Sequence, residues 1–292
     1  MNHVIKNEFY TLSVNELGAE MTSLVFSGKE MLWNTKFPEC WSDHAPLLFP
    51  VCGRLKDSKY TYGGKEYPMA GHGFIKKMTF ALKSKSESAL ELEFKSNDET
   101  RAIYPFDFIF TAKYELIGKN VMFSVTIENT DDKTLPYMFG WHPGFNLFTD
   151  EGQDIEDYVL DFGKIENIKW IPLQHEVFAS ENRYDFPLDQ GRYKLSEKQI
   201  YENDTLIFEE HHNKVALYAD GHPFRLDMTW SDNLPSLCIW KHPDNGAKFL
   251  CIEPWSGTPN NGEVAENFEV RKMARLEPGN KDVYTYTMSF NA

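Results

Sequence analysis

Hydrophobic and polar residues alternate along much of this 292-residue chain. A period of two is typical of strands with one buried face, because successive side chains point to opposite sides of a sheet. Such β-rich runs predict strands at residues 9–14, 59–62, 65–67, 89–94, 106–116, 121–128, 135–141, 215–219, 224–230, 237–240, 248–253 and 283–290. Short turns separate many of these runs, which indicates antiparallel hairpins.

The turns have the residues that tight connections need. Gly63-Gly64 predicts a two-residue hairpin turn, and Gly118 and Gly221 lie in two longer connections. Helical periodicity is scarce, with short helical turns predicted only at 196–202 and 263–268. Neither a linker nor a repeat divides the chain. The pattern therefore predicts one mostly antiparallel β domain over residues 1–292, built as a large sandwich or as a barrel-like stack of sheets.

Composition supports this fold class and excludes some partners. Aromatic residues make up 15% of the chain, and aromatics favour pleated strands. The net charge of −14 argues against a nucleic-acid or anionic-membrane partner, because phosphate groups would be repelled. It does not exclude a small anionic substrate that is held by one local arginine.

Sequence features predict a cytoplasmic protein. The N-terminus lacks a charged stretch followed by an apolar one, and no run approaches 18 apolar residues. The four cysteines, Cys40, Cys52, Cys238 and Cys251, have no CxxC spacing. We therefore interpret them as reduced thiols rather than as a disulfide framework or a zinc knuckle.

Several familiar kinds of catalytic site have no support in the sequence. A metal site on a strand would be expected to show His-x-His, which is missing, and His211-His212 lie in a polar turn. There is no Gly-x-Ser-x-Gly elbow, and neither a phosphate loop nor a dinucleotide fingerprint occurs. The sequence therefore predicts no metal ion and no organic cofactor.

Polar residues at the ends of apolar runs are the remaining candidates. Arg54 follows the apolar run 46–51, His72 lies in Gly-His-Gly-Phe, His142 lies in Gly-Trp-His-Pro-Gly, and Glu253 ends the run 249–252. Such residues usually face solvent and have no further role. If they are desolvated instead, their pKa values shift and they become functional candidates.

These segments resemble the galactose mutarotase-like superfamily of aldose 1-epimerases, and most closely its LacX-type branch. The matching stretches occur in order over nearly the whole chain: LFPVCGRL (48–55), YTYGGKEY (60–67), AGHGF (70–74), GWHPGFN (140–146), ENDTLIF (202–208) and CIEPWSG (251–257). Each stretch alone is weak, whereas the ordered set is specific for the family.

The resemblance implies a single β-supersandwich and a set of site residues. His142 and Glu253 correspond to the catalytic pair, and Arg54, His72 and Asp204 to sugar-binding residues. Trp240 is predicted to stack on the apolar face of a sugar ring, and Trp141 and Trp255 are alternatives for this role.

The resemblance also implies a chemistry that these residue types can perform. Exchange of α and β anomers requires a base at the C1 hydroxyl and an acid at the ring oxygen. By resemblance, Glu253 is the base and His142 is the acid, and no cofactor is needed.

Alternative functions remain open at this level. The chain could be a non-catalytic sugar-binding or sensing protein of the same fold, or a metal-dependent sugar isomerase. The substrate could also be a hexose 6-phosphate, with Arg54, Lys56 or Arg225 beside the phosphate.

Overall fold

A computed structural model describes residues 1–34, 40–148, 155–174, 178–203, 205–242, 248–263 and 266–291. The strands of the first half are β1 (Asn2–Lys6), β2 (Tyr10–Asn15), β3 (Met21–Phe26), β4 (Lys29–Glu30), β5 (Leu47–Leu48), β6 (Lys59–Tyr62), β7 (Lys65–Pro68), β8 (Ala81–Lys85), β9 (Ala89–Lys95), β10 (Phe108–Ile117), β11 (Asn120–Asn129), β12 (Leu135–Tyr137), β13 (Gly140–Trp141) and β14 (Gly144–Asn146).

The second half continues in the same manner. Its strands are β15 (Tyr158–Asp161), β16 (Asn167–Ile171), β17 (Leu173–Gln174), β18 (Phe178–Ala179), β19 (Tyr184–Pro187), β20 (Arg192–Lys194), β21 (Thr205–Glu209), β22 (Lys214–Ala219), β23 (Arg225–Trp230), β24 (Ser236–Trp240), β25 (Phe249–Trp255), β26 (Glu266–Asn267), β27 (Ala274–Leu276) and β28 (Lys281–Asn291). The helices are α1 (Asp98–Ile103) and α2 (Glu197–Asn203), with 3-10 turns at Lys56–Ser58, Ile75–Lys77 and Ile155–Asp157.

Two large sheets dominate the architecture. One has nine strands in the order β20-β15-β22-β23-β28-β11-β10-β9-β8. The other has the order β19-β16-β21-β24-β25-β13-β5, with β14 also paired to β25. Strand pairing within both sheets is antiparallel, and β26 with β6 forms a parallel pair in a small separate sheet. The predicted all-β supersandwich of large, mostly antiparallel sheets with few short helices is confirmed.

The two large sheets pack through alternating side chains. On β25, Leu250 and Ile252 point into the main apolar core, whereas Phe249 and Cys251 belong to a separate cluster on the opposite face. The Trp141 ring of β13 lies 5.1 Å from the Tyr286 ring of β28, which joins the sheets. The outer face of the β25 sheet therefore does not take part in the packing between the two large sheets.

The predicted hairpins are observed at the predicted places. Gly63 and Gly64 connect β6 to β7 with φ of 57° and 72°, the left-handed conformation that a two-residue hairpin turn requires. The pairs β10–β11 and β22–β23 are also antiparallel neighbours. Local alternation and turn chemistry therefore determined these elements.

The prediction of one continuous strand over 135–141 is wrong. The segment forms two short strands, β12 and β13, with Met138 and Phe139 between them. They pair in different sheets, because β12 lies beside β27 whereas β13 lies between β5 and β25. The backbone of Met138 instead donates to Pro50 O at 2.8 Å, so a tertiary contact interrupts the strand.

The helical predictions had mixed outcomes. Helix α2 confirms the helical turn at 196–202. The turn predicted at 263–268 is wrong in its described part, because residues 266–267 form β26 beside β6. Helix α1 was missed, although Asn97 and Thr100 form a reciprocal capping box that the sequence Asn-x-x-Thr signals.

One apolar cluster includes side chains from both large sheets and from the N-terminal sheet β1–β4. A single domain over 1–292 stays a prediction. None of the helices in the described segments has the length and apolar character needed to cross a membrane.

Candidate active site

Strand β25 places an acidic residue on the outer face of its sheet. Because strand side chains alternate, Phe249, Cys251, Glu253 and Trp255 share one face. Glu253 is nevertheless buried, with only 1% of its side chain exposed. An ionisable group in that position requires either a charged partner or a shifted pKa.

His142 lies beside Glu253 because β13, the strand that precedes it, pairs with β25. It directly follows β13, whose Trp141 points into the core, so the next side chain turns to the outer face. The His142 backbone N–H donates to Pro46 O at 3.0 Å and fixes this turn. His142 Nε2 lies 3.4 Å from Glu253 Oε2, and 12% of the histidine side chain is exposed.

Burial opposes charge on both members of this pair. Desolvation raises the pKa of Glu253 well above its usual value, against a smaller lowering by the Trp255 indole. Desolvation, with a lesser contribution from His72, lowers the pKa of His142 well below 6.5. Both shifts act in the same sense, because each favours the neutral form of its group over the ion pair.

Two buried atoms of the pair have no hydrogen-bond partner within the described segments. They are His142 Nδ1 and Glu253 Oε2. Most buried polar atoms in proteins are paired, and an exception commonly marks a functional site. The pair thus has hydrogen-bonding capacity that the protein itself does not use.

Arg54 and His72 lie in two segments that are joined by reciprocal hydrogen bonds between Gly53 and His72. His72 N donates to Gly53 O at 2.8 Å, and Gly53 N donates back to His72 Nδ1 at 3.3 Å. A Cβ at Gly73 would collide with the backbone of Phe49, so only glycine permits this approach. The two sequence motifs LFPVCGRL and AGHGF are therefore one structural unit.

His72 is a neutral hydrogen-bonding group in this position. Burial, with smaller contributions from the Lys76 and Arg54 charges, lowers the pKa of His72 to about 4. Since Nδ1 accepts the Gly53 N–H, the proton of the neutral ring is on Nε2. His72 and His142 rings lie 5.6 Å apart, so His72 can donate beside the acid–base pair.

These residues line one cavity of about 330 Å³. Arg54, His72, His142, Trp240 and Glu253 all contribute to its wall. The structure therefore brings together five residues that the sequence had placed in separate segments. The predicted binding residue Asp204 lies outside the described residues, although its neighbour in β21, Thr205, also lines the cavity.

An aromatic wall that sequence reasoning missed completes the cavity. The Trp41 ring stacks on Phe249 at 5.2 Å and lies 5.1 Å from the His142 ring and 5.6 Å from Trp240. A Cβ at Gly144 would lie 2.7 Å from the Trp41 ring, which explains the glycine in GWHPGFN. No sequence signal marked Trp41, because it lies in a segment without strand periodicity.

Two charged residues of the wall were also missed. Lys76 Nζ and Asp43 Oδ2 form an ion pair at 2.7 Å, and both residues line the cavity. Arg54 also lines the cavity and has no ion-pair partner among the described residues. The cavity thus combines a free guanidinium with a paired ammonium group.

Other candidates of the sequence lie elsewhere. Trp141 is buried in the core, where its indole donates to Ala45 O, so it cannot stack on a cavity ligand. Trp255 does line the cavity. Lys56 donates to Glu263 O at 2.7 Å, and Arg225 pairs with Asp227 on the nine-stranded sheet. Neither of these cations belongs to the cavity wall.

A possible metal-ligand set occurs at the same place. Donor atoms of His142, Cys251 and Glu253 all lie within 4.8 Å of one another. The sequence patterns tested for a metal site were His-x-His, CxxC and the pair His211-His212, whereas Cys251-x-Glu253 places two donors on one strand face in the same way as His-x-His.

A second cavity is larger, at about 510 Å³, and shares Pro259 with the first. Its carboxylates already have partners: Glu209 pairs with Arg183 at 3.1 Å, and Glu181 accepts from Asn261. Size favours this cavity, but the buried acid–base pair lies in the smaller one. The candidate active site is therefore the smaller cavity, because it contains the buried acid–base pair.

Comparisons with known proteins agree over the whole chain. The family model described as aldose 1-epimerase matches residues 1–291. Protein LacX (plasmid) of Lactococcus lactis subsp. lactis is 30% identical over an alignment of 300 positions, which covers 95% of this chain and 96% of that protein.

Two solved structures are similar in fold and sequence. A galactose mutarotase related enzyme from Lactobacillus acidophilus has a TM-score of 0.92 and 31% identity, covering 100% of this chain and 98% of the other. A galactose mutarotase-like protein from Lactobacillus casei ATCC 334 has a TM-score of 0.91 and 25% identity, covering 99% and 100%. The chain belongs to the aldose 1-epimerase family.

Proposed function

We propose that this protein is a mutarotase that interconverts the α and β anomers of an aldose. The observation that carries the proposal is the buried pair His142–Glu253, whose Nε2 and Oε2 atoms lie 3.4 Å apart at the wall of a cavity. Ring opening needs two proton-transfer groups a few ångströms apart, and a binding protein needs none.

The cycle begins with a neutral pair. Neutral His142 removes the proton from the C1 hydroxyl, and protonated Glu253 delivers its proton to the ring oxygen. The C1–O5 bond breaks and an aldehyde forms. After rotation about C1–C2, Glu253 takes the proton back from the O5 hydroxyl while His142 protonates O1 as the ring closes. The protein returns to its starting state, and atoms and charges balance.

This order differs from the assignment that the family resemblance implies. Glu253 as base and His142 as acid would need an ionised pair at the start. Burial raises the pKa of Glu253 and lowers the pKa of His142, which disfavours that state. The two assignments also differ in the oxygen that each group serves: Glu253 exchanges its proton with O1 in the family assignment and with O5 in the cycle proposed above.

The surrounding residues suit one sugar ring. The cavity volume of about 330 Å³ is at the small end of the ~300–1,000 Å³ range of ligand pockets. Trp41 and Trp240 offer ring faces, on which the apolar side of a sugar packs. Arg54 and His72 offer hydrogen-bond donors for hydroxyl groups. We propose a sugar as the only small-molecule partner that the site requires.

The test is anomer exchange measured by NMR magnetisation transfer. Free aldoses and their 6-phosphates are mixed in turn with the wild type and with Glu253→Gln after chelation of metal ions. We expect acceleration for at least one sugar and a loss of about 10²–10⁴-fold in the variant, because Gln cannot transfer a proton. Glu209→Gln, a strand carboxylate beside the larger cavity, is the matched control and should retain the rate.

The outcomes separate the alternative functions. Exchange no faster than in buffer, across the whole panel, would contradict the proposal. Saturable sugar binding without exchange would identify a sugar-binding protein of the same fold. Acceleration restricted to 6-phosphates would refine the substrate to a hexose phosphate, with Arg54 as the available cation.

A further inference from the structure

Cys251 is a buried thiol that the proposed cycle does not use. It lies two residues before Glu253 on the same face of β25, and it has no solvent exposure. Its donor atom, a Glu253 oxygen and a His142 nitrogen lie within 4.8 Å of one another. Three donors of different chemistry therefore converge at one point, where His142 and Glu253 line the cavity and Cys251 lies buried beside them.

The distances approach those of a zinc centre. Zn–N and Zn–O bonds of about 2.0–2.2 Å place two ligand atoms of a tetrahedron roughly 3.4 Å apart. His142 Nε2 and Glu253 Oε2 are separated by 3.4 Å. The longer Zn–S bond, about 2.3 Å, requires Cys251 Sγ to lie slightly farther from both. Since the three donor atoms lie within 4.8 Å of one another, the sulfur must come closer by no more than on the order of 1 Å for three-fold coordination.

A second observation is independent of these distances. His142 Nδ1 and Glu253 Oε2 are buried and have no hydrogen-bond partner among the described residues. An oxygen that is already paired must lose a hydrogen bond before it can bind a metal ion. Glu253 Oε2 has no such cost, and both His142 and Glu253 line the cavity, from which a water molecule would reach the ion as a fourth ligand.

We propose that His142, Cys251 and Glu253 form a binding site for one Zn²⁺ ion. The sulfur and nitrogen donors favour zinc over the hard ions Mg²⁺ and Ca²⁺, which prefer sets of oxygen ligands. On binding, Cys251 and Glu253 release their protons to the solvent and become anionic ligands. A bound ion would occupy both groups of the acid–base pair, so it would inhibit anomer exchange; this last consequence rests on the proposed function.

Cobalt substitution gives a direct readout of the sulfur ligand. Chelator-treated, reduced protein is titrated with Co²⁺ and then with Zn²⁺ as competitor. We expect one Co²⁺ per chain, an absorption band in the near ultraviolet from the cobalt–thiolate bond, and its loss as zinc displaces cobalt. Cys251→Ser should abolish the band and weaken Zn²⁺ binding at least tenfold.

The chain provides matched cysteine controls. Cys238 is also buried, and lies directly opposite Glu253 on the neighbouring strand β24, outside the donor group. Cys238→Ser should therefore keep the band. Cys251→Ala serves if the serine variant does not fold. A band that survives Cys251→Ser, or that vanishes with Cys40→Ser instead, would overturn the assignment, as would the lack of any band in the wild type.

Anomer exchange in the same samples distinguishes this inference from the proposed function. Exchange under chelation without a cobalt band would refute the zinc site and leave the mutarotase standing. A cobalt band without anomer exchange would support the metal site and contradict the mutarotase. If both hold, saturating Zn²⁺ should lower the exchange rate at least tenfold, and chelator should restore it. Inhibition that is unchanged in Cys251→Ala would contradict the site.

Discussion

Two buried glutamates in this molecule have basic partners of different kinds. Glu253 faces His142 at 3.4 Å, and Glu266 faces Arg271 at 2.6 Å. Both carboxylates are at most 1% exposed. A guanidinium does not exchange protons in the physiological range, so the Glu266–Arg271 pair is suited to a structural role. An imidazole can accept or release a proton near neutral pH, so the His142–Glu253 pair can perform chemistry.

The surroundings of the two pairs have features in common. Glu266 Oε2 also accepts from Asn260, and Arg271 donates to Met138 Sδ. Glu266 Oε1 and Arg271 Nη1 nevertheless have no hydrogen-bond partner among the described residues, and Arg271 lines the larger cavity. Glu253 Oε2 lacks a hydrogen bond within the described residues and lies at a cavity. Both pairs are buried and both contain unpartnered atoms, so the comparison teaches that the chemistry of the basic partner indicates function better than burial or free hydrogen-bonding capacity.

The largest expected effect is the loss of anomer exchange when His142, the basic partner of Glu253, is replaced. His142→Gln keeps a hydrogen-bonding side chain and removes proton transfer, so kcat for anomer exchange should fall about 10²–10⁴-fold. His72→Gln is the comparison, because His72 is neutral and serves binding. That variant should raise KM more than it lowers kcat. Equal losses of kcat in the two variants would show that His142 has no special role.

The structural pair should respond in stability instead. Glu266→Gln leaves the Arg271 guanidinium buried without its counter-charge, which should lower the free energy of unfolding by about 3–5 kcal/mol. Urea denaturation measures this change. The double variant Glu266→Met with Arg271→Met should recover most of the loss, because it removes both charges. If Glu266→Gln were as stable as the wild type, the Glu266–Arg271 pair would not have the structural role assigned to it.

Glu253→Gln should have the opposite sign in the same assay. Burial raises the pKa of Glu253 above 4.5, so its stabilising contribution is complete below pH 4.5 and is lost as pH rises toward the folded pKa. The Gln variant lacks that loss. We expect equal stability near pH 4 and a higher free energy of unfolding than that of the wild type at pH 7.5. A variant less stable than the wild type at pH 7.5 would contradict this.

The smallest effect is expected in the pH profile of kcat/KM near neutrality. The active neutral pair is lost on the acid side when His142 gains a proton, below the usual histidine pKa. It is lost on the alkaline side when Glu253 releases its proton, above the usual carboxyl pKa. In the pH range in which both groups are neutral, kcat/KM should vary less than about twofold. A narrow bell centred on one pH would argue for an ionised pair.

The sequence predicted the elements whose signals are local. Alternation and glycine turns located β9, β11 and the β6–β7 hairpin, because each depends on neighbouring residues alone. The interruption at Met138 was not predictable in this way, since its cause is a contact with Pro50. Ordered motifs supplied Arg54, His72, His142 and Glu253 as candidates, and their roles in catalysis stay predictions.

The remaining parts of the site depend on tertiary contacts. Trp41 comes from a segment without periodicity and reaches the cavity only because Gly144 leaves room for its ring. The pairing of Lys76 with Asp43 joins positions 33 residues apart. A contact between residues so far apart in the chain leaves no pattern that can be recognised in one sequence. Asp204 lies outside the described residues, so its predicted role is still open.

The alternation along β25 makes catalysis sensitive to the alignment of neighbouring strands. A shift of one residue against β24 would turn Ile252 toward the cavity and bury Glu253 between the sheets. Such a misaligned sheet would keep its backbone pairing yet lose both its apolar packing and its proton carrier. Recovery of anomer exchange after denaturation would therefore report correct strand register, which total β content measured by circular dichroism cannot distinguish.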